Sequence, residues 1–194
     1  SLTDTNVEQY NPAIAVDTCD NIHLVWGSAE FTGTLEYSIS YRQKTGGGWH
    51  PQETITYSPD FQAYPTLTVD QQDRVHVVWE GADGSDNTNI KYRVKTESGW
   101  QQKTNITEAT SYQCYPSISV DSEDNLHLVW EGLGWGSNPS KYNLQYKRKT
   151  SQGWEPQISL TDSPTHQMHP SMLWAMWPDP PLTRTDVPET GYAL

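Results

Sequence analysis

The sequence predicts an all-β protein, a β-propeller of four-stranded antiparallel blades, because three features coincide in it. Nearly the same pattern runs three times, at Pro12 to Trp49, Pro65 to Trp100 and Pro116 to Trp154. Within each copy the residues alternate with period two, and turn-forming residues separate the alternating runs. The anchoring prolines Pro12, Pro65, Pro116 and Pro170 lie 53, 51 and 54 residues apart. A period near ~50 residues belongs to a propeller, a solenoid or an array. Four short strands per repeat, with almost no helical periodicity, select the propeller.

Each element follows from its residues. In the first strand Pro65, Leu67 and Val69 point one way, and Thr66 and Thr68 the other. Pro116, Ile118, Val120 against Ser117, Ser119 repeats this, as does Pro12, Ile14, Val16 against Ala13, Ala15. An aliphatic face backed by small residues suits the innermost strand, where neighbouring sheets approach closely. Asx-rich turns follow at Asp17 to Asn21, Asp70 to Arg74 and Asp121 to Asn125, where side chains bond their own backbone. The second strand runs Ile22 to Trp26, Val75 to Trp79 and Leu126 to Trp130. A variable loop leads to a third strand through Tyr41, Tyr92 and Tyr146. A Gly-containing turn ends at Trp49, Trp100 and Trp154, and a fourth strand closes the repeat.

One partial propeller over 1–194 is therefore expected, with blades at 12–57, 65–108 and 116–162 and partial blades at 1–4 and 170–194. Ser1-Leu2-Thr3-Asp4 copies Ser159-Leu160-Thr161-Asp162, so the chain opens like the fourth strand of a preceding blade. Pro170 to Trp174 starts a fourth repeat, which diverges in a segment holding Pro178, Pro180, Pro181 and Pro188. About three and a half blades make an incomplete ring, since closed propellers have roughly four to eight. Completion by missing sequence or by self-association is expected.

Composition bounds the function. Twelve Lys+Arg against 24 Asp+Glu give a formal charge of −12, which repels phosphate backbones and argues against nucleic-acid binding. That field suits a secreted or surface protein, or one that binds cations or neutral glycans. No run approaches the ~18 apolar residues of a membrane helix, so no membrane insertion is expected. No signal-peptide pattern opens the chain, which reads as a mature form or a fragment. Nine Trp and eleven Tyr supply burial that a 34% hydrophobic fraction would otherwise deny. Asn105-Ile106-Thr107 is a glycosylation sequon.

The repeat Pro-x-Ile-x-Val-Asp…His-Leu-Val-Trp…Tyr-Arg-x-Lys-Thr-x-x-Gly-Trp resembles those of sialidase-like (BNR, Asp-box) propellers over roughly Ser1 to Pro170. Lys44 to Trp49, Lys95 to Trp100 and Lys149 to Trp154 sit where that family carries its Asp-box, but lack the Asp, and look like degenerate boxes. The resemblance implies the propeller fold. It implies activity far less, because the family spans sialidases, lyases and lectins. A sialidase would need an arginine cluster, and none is readable among Arg42, Arg74, Arg93, Arg148 and Arg184.

His23, His76 and His127 recur at one position and suggest zinc. Residues related by rotation about a ring axis do not converge, however, so hydrogen-bonded structural histidines are expected. The Asp-x-x-Asp turns offer two carboxylates each, too few for calcium's ~6–8 oxygens. No metal or cofactor is therefore expected. The constellation that stands out is Gln-x-[Tyr/His]-Pro: Gln62 and Tyr64, Gln113 and Tyr115, Gln167 and His169. Gln9-Tyr10-Asn11-Pro12 departs by placing the aromatic one residue early.

These motifs enter the innermost strands and should ring the mouth of the central channel. The loops between second and third strands reach the same face, bringing Glu30 and Phe31, then Glu80, Asp83 and Asp86, then Glu131 and Trp135. Aromatic plates with amide and carboxylate partners suit sugars; hydrogen bonding between blades is the structural alternative. Cys19 and Cys114 fall on opposite faces and should not pair. The expected function is a non-enzymatic binding or assembly module of an extracellular or surface protein, taking a glycan or protein ligand. A polysaccharide-active enzyme and a structural subunit of a surface layer or filament are the alternatives.

Overall fold

A computed structural model describes residues 7–31, 33–84 and 87–173. Among them it contains three antiparallel sheets and no helix. The first holds β1 (Glu8–Val16), β2 (Ile22–Phe31), β3 (Leu35–Thr45), β4 (Gly48–Trp49) and β5 (Glu53–Ser58). The second holds β6 (Gln62–Val69), β7 (Val75–Gly81), β8 (Asn89–Thr96), β9 (Gly99–Trp100) and β10 (Thr104–Asn105). The third holds β11 (Gln113–Val120), β12 (Leu126–Gly132), β13 (Asn143–Thr150), β14 (Gly153–Trp154) and β15 (Ile158–Ser159). In each sheet the fourth strand comes in two pieces, both paired to the third strand. The sheets are the blades, and the innermost strands β1, β6 and β11 lie side by side.

The core sits between blades. Val25, Ile39, Tyr41 and Ile55 of the first blade pack on Leu67, Val75, Val77 and Trp79 of the second. Val78, Ile90, Tyr92 and Ile106 of the second pack in the same way on Ile118, Leu126, Leu128 and Trp130 of the third. The small residues Ala13 and Ala15 flank the first seam, as their alternation required. Trp26, Trp79 and Trp130 occupy equivalent buried positions. Tyr41 meets the edge of Trp100 at 5.2 Å, and Tyr92 that of Trp154 at 5.5 Å, so these two outer tryptophans tie their hairpins to the preceding blade. Lys95 adds a salt bridge to Glu53 across the first seam.

The ring is not closed, and the two end blades show it. Leu67 is 7% exposed under the first blade, whereas its counterpart Ile14 is 63% exposed. Ile106 is 6% exposed under the third blade, whereas its counterpart Leu160 is 50% exposed. The segments expected at 1–4 and from 174 onward lie outside the described residues.

The recurring histidines are explained by the turns. In each blade His Nε2–H donates to the first Asp of the turn, and Nδ1 accepts from the third-strand Tyr hydroxyl. The partners are Asp17 and Tyr41 for His23, Asp70 and Tyr92 for His76, and Asp121 and Tyr146 for His127. The same aspartates accept backbone N–H groups within the turn, for example Asp70 Oδ1 from Gln72 and Arg74. Burial works to raise the Asp70 carboxyl, but the bonds from His76 and Arg74 win and hold it at about 2. Burial keeps His76 below its usual range, in its neutral form. Neighbouring turns also lock together, Thr18 donating to Asp73 and Gln71 to Asp124.

Candidate functional site

Each entry into an innermost strand carries a β-bulge, between Tyr10 and Ala13, Ala63 and Thr66, and Cys114 and Ser117. The bulged residues Asn11, Tyr64 and Tyr115, with His169 at the same repeat position, have φ of 49°, 50°, 50° and 56°. That left-handed conformation is uncommon for bulky side chains and needs support from its surroundings. It gathers the rings at the axis. Tyr64 and Tyr115 lie 4.4 Å apart between centroids, and Tyr115 and His169 4.7 Å. The Tyr115 hydroxyl donates to that of Tyr64 at 3.4 Å. With Asn11 and the four anchoring prolines these residues line an axial depression of about 290 Å³.

The support comes from the buried carboxylates. Glu80 accepts the Tyr115 N–H at 3.0 Å, and Glu131 accepts that of His169 at 2.5 Å. Burial, aided by the charge of Glu131, pushes Glu80 up to about 7 against the lowering effect of that N–H. Burial raises Glu131 in the same direction. The first blade solves the problem differently. Gly27 stands at the Glu80 position, and Tyr10 at that of Ala63. A Cβ on Gly27 would lie 2.3 Å from the Tyr10 ring, which fills the space. The Tyr10 hydroxyl donates to the Gln62 carbonyl at 3.0 Å, which explains why the aromatic comes one residue early.

Gln62 and Gln113 are fully buried and used within their blades. Gln62 Oε1 accepts the Trp79 indole N–H and Gln113 Oε1 that of Trp130, both at 2.8 Å. Their amide nitrogens donate to the carbonyls of Ala82 and Leu133. Gly81 and Gly132 make this possible, since a Cβ there would lie 2.3 and 2.4 Å from the glutamine oxygens. Gln167 is half-buried and donates to Ser163, Thr165 and the His166 carbonyl. Trp135 lies on the β12–β13 connection, away from the axial depression, and its carbonyl accepts from Asn143. Asp83 holds Lys91 and Lys103. Asp86 lies outside the described residues. Glu30 and Phe31 border a hollow of about 800 Å³ on the first blade. The structure therefore brings Tyr64, Tyr115, His169 and, beneath them, Glu80 and Glu131 together, and leaves Trp135 apart.

A cleft of about 560 Å³ adjoins the axial depression and shares Tyr115 with it. Its wall is the β2–β3 hairpin, whose strands run 10 and 11 residues against 7 and 8 in the other blades. Tyr37 on that wall packs against Phe61 at 5.4 Å, near edge-on. Glu80, Asp60, Tyr112 and Cys114 complete the lining. Phe61 and Tyr112 are 36% and 41% exposed. Their carbonyls accept from Ala82 and Leu133, which fixes the backbone beneath the rings. Sequence reasoning missed Tyr37, Phe61 and Tyr112. A signal was present, because an aromatic ring immediately precedes each of Gln62, Gln113 and Gln167, as Phe61, Tyr112 and His166. Cys114 has a free thiol that burial pushes up to about 12, and Cys19 is free and exposed in the β1–β2 turn. Among the described residues no cluster of His, Cys, Asp and Glu is placed to hold a metal ion.

The described chain is thus three blades of an open β-propeller, with a polar, aromatic cleft on the face where the inner strands begin. No family model and no curated protein matches the sequence. Several solved structures share the fold, two of them carbohydrate-related. One is the GH93 α-L-arabinofuranosidase of Fusarium graminearum in complex with arabinobiose, with a TM-score of 0.59 and 11% identity over 77% of this chain and 49% of that one. The other is an N-acetylgalactosamine deacetylase from F. plautii in complex with blood group B trisaccharide, with a TM-score of 0.57 and 13% identity over 82% of this chain and 53% of that one. Both neighbours are β-propellers that act on carbohydrates, and this chain spans about half the length of each.

Proposed function

We propose that this protein is a carbohydrate-binding module of an extracellular or surface protein, with repeats of the sialidase-like type, and that its ligand occupies the cleft between the β2–β3 hairpin and Tyr115. The observation that carries this reading is the cleft itself. Phe61 and Tyr112 line it, each more than a third exposed, beside Asp60 and Glu80, a combination suited to stacking a sugar ring while its hydroxyls meet carboxyl acceptors. The rings stand on backbone pinned to neighbouring loops, so little ordering opposes binding. The test is a glycan panel followed by calorimetry on the best oligosaccharide. Phe61→Ala and Tyr112→Ala should each weaken binding about tenfold, or ~1.4 kcal/mol. Unchanged affinity in both, with circular dichroism intact, would move the site elsewhere.

A second reading, an enzyme acting on polysaccharides, is favoured by one observation. Glu80 borders the cleft with a carboxyl titrating near 7, as a general acid would. Release of reducing ends from a polysaccharide panel, lost in Glu80→Gln, would select it over simple binding.

A further inference from the structure

We propose that the cleft is selective for neutral glycans and rejects those carrying carboxylate or sulfate groups; this rests on the glycan-binding reading above and narrows it to a chemical class. The argument starts from what lines the face. Among the described residues no Lys or Arg borders the cleft, the axial depression or the hollow on the first blade. The charged groups of the cleft and hollow are acidic: Asp60 in the cleft, joined by Glu80 as pH rises through about 7, and Glu8, Glu30 and Glu36 in the hollow, which meets the cleft at Leu35; His169 lines the axial depression. Basic residues are committed elsewhere. Arg42 and Arg93 donate to the carbonyls of His50 and Gln101 after the outer hairpins, and Arg74 pairs with Asp70 in the opposite turn. On the cleft face Asp83 occupies both Lys91 and Lys103, and Lys141, on the β12–β13 connection, does not border the cleft.

Two consequences follow for a ligand. First, a carboxylate or sulfate entering the cleft meets the Asp60 carboxylate with no Lys or Arg among the described lining residues, and a net charge of −12 opposes its approach from a distance. Second, beside the hydroxyls of Tyr37 and Tyr112, the cleft offers the carboxyl oxygens of Asp60 and Glu80 as acceptors. Asp60 already takes the Gly84 N–H at 2.9 Å on one oxygen, and Glu80 takes that of Tyr115 on one oxygen. Their remaining lone pairs need donors, which sugar hydroxyls and acetamido N–H groups supply and ligand carboxylates do not. The aromatic rings serve neutral and acidic sugars alike, so discrimination falls to these carboxylates.

The experiment uses matched oligosaccharide pairs that differ only in charge: with and without terminal sialic acid, with glucose or glucuronate, with and without O-sulfate. Binding is measured to the whole chain at about 0.05 M and about 1 M salt. The neutral member should bind at least about tenfold more tightly at low salt. The gap should narrow at high salt, where the Debye length falls to ~3 Å. The double variant Asp60→Asn, Glu36→Gln keeps the acceptors for Gly84 and Thr34 and should shrink the gap about threefold. Equal or tighter binding of the acidic members overturns this selectivity while leaving glycan binding in place. Binding to no member of any pair overturns both.

Discussion

Replacing Gly81 with alanine tests the most tightly packed feature of the blade. The added Cβ would stand 2.3 Å from Gln62 Oε1 and 2.9 Å from its Cδ, closer than atoms tolerate. Gln62 is 1% exposed and Trp79 fully buried, so neither has room to give way. Gln62 must leave, and its 2.8 Å bond to the Trp79 indole breaks. Overpacking a core costs about 1–3 kcal/mol, and orphaning a buried donor a further ~1–3. The expected loss is therefore about 4 kcal/mol, or roughly 8–16 °C in Tm for a chain of this size. Urea titration followed by tryptophan fluorescence measures it. In Gln62→Ala the space is already open, so adding Gly81→Ala there should cost under ~1 kcal/mol, giving a coupling of ~3 kcal/mol. The first blade supplies a natural comparison. Ser28 stands at the Gly81 position, Gln9 is exposed, and the Trp26 indole N–H has no partner among the described residues. A loss below about 1 kcal/mol, or an additive cycle, would show that Gln62 is not confined as described.

The remaining predictions concern pH. Glu80 titrates near 7 in the folded chain against an ordinary 4.5, so its contribution to stability is fully present below pH 4.5 and is lost as pH rises through 7. Glu80→Gln should abolish that decline, worth about 3 kcal/mol between pH 4.5 and 7.5, in urea titrations compared with the parent; a parallel profile would show that the carboxyl is hydrated. Asp70 moves the other way, from 3.8 to about 2, so its stabilisation is present above pH 4 and disappears as pH falls toward 2. Asp70→Asn should flatten the acid limb by about 2 kcal/mol, and an unchanged midpoint of acid unfolding would count against the His76–Asp70 bond.

The blades were legible because period-two alternation and Asx turns are local signals that a rotated copy must repeat. Val77 and Leu128 recur because each packs on the preceding blade, and His76 and His127 because each bridges a turn to a tyrosine. The axial motif was legible in part. Tyr64, Tyr115 and His169 do meet, but Gln62 and Gln113 recur for the indole beside them. Spacing alone does not distinguish a residue repeated for packing from one repeated at a surface. The cleft was not legible, since its wall depends on how far β2 and β3 extend and its floor on the backbone bond between Glu80 and Tyr115. The second is a contact between segments more than thirty residues apart, and the first is a strand length that no turn signal sets.

The differences between blades are where the molecule stops being a repeat, and they are not scattered. Gly27 for Glu80, Ser28 for Gly81 and Tyr10 for Ala63 form one coupled exchange, because the ring of Tyr10 needs the space a glycine leaves and the hydroxyl replaces a lost tie to the next blade. The same blade extends its β2–β3 hairpin, and that extension carries Tyr37 against Phe61. At the turns opposite, by contrast, Asp17, Asp70 and Asp121 make the same bonds to histidine three times over. A scaffold held constant on one face and varied on the other is how a rigid fold acquires a site without losing stability. The cleft lies on the varied face, beside the blade that departs most. Its lining joins residues of the repeat, Phe61 and Tyr112, to Tyr37, which only the extended first blade supplies, and the proposed glycan site rests on that junction.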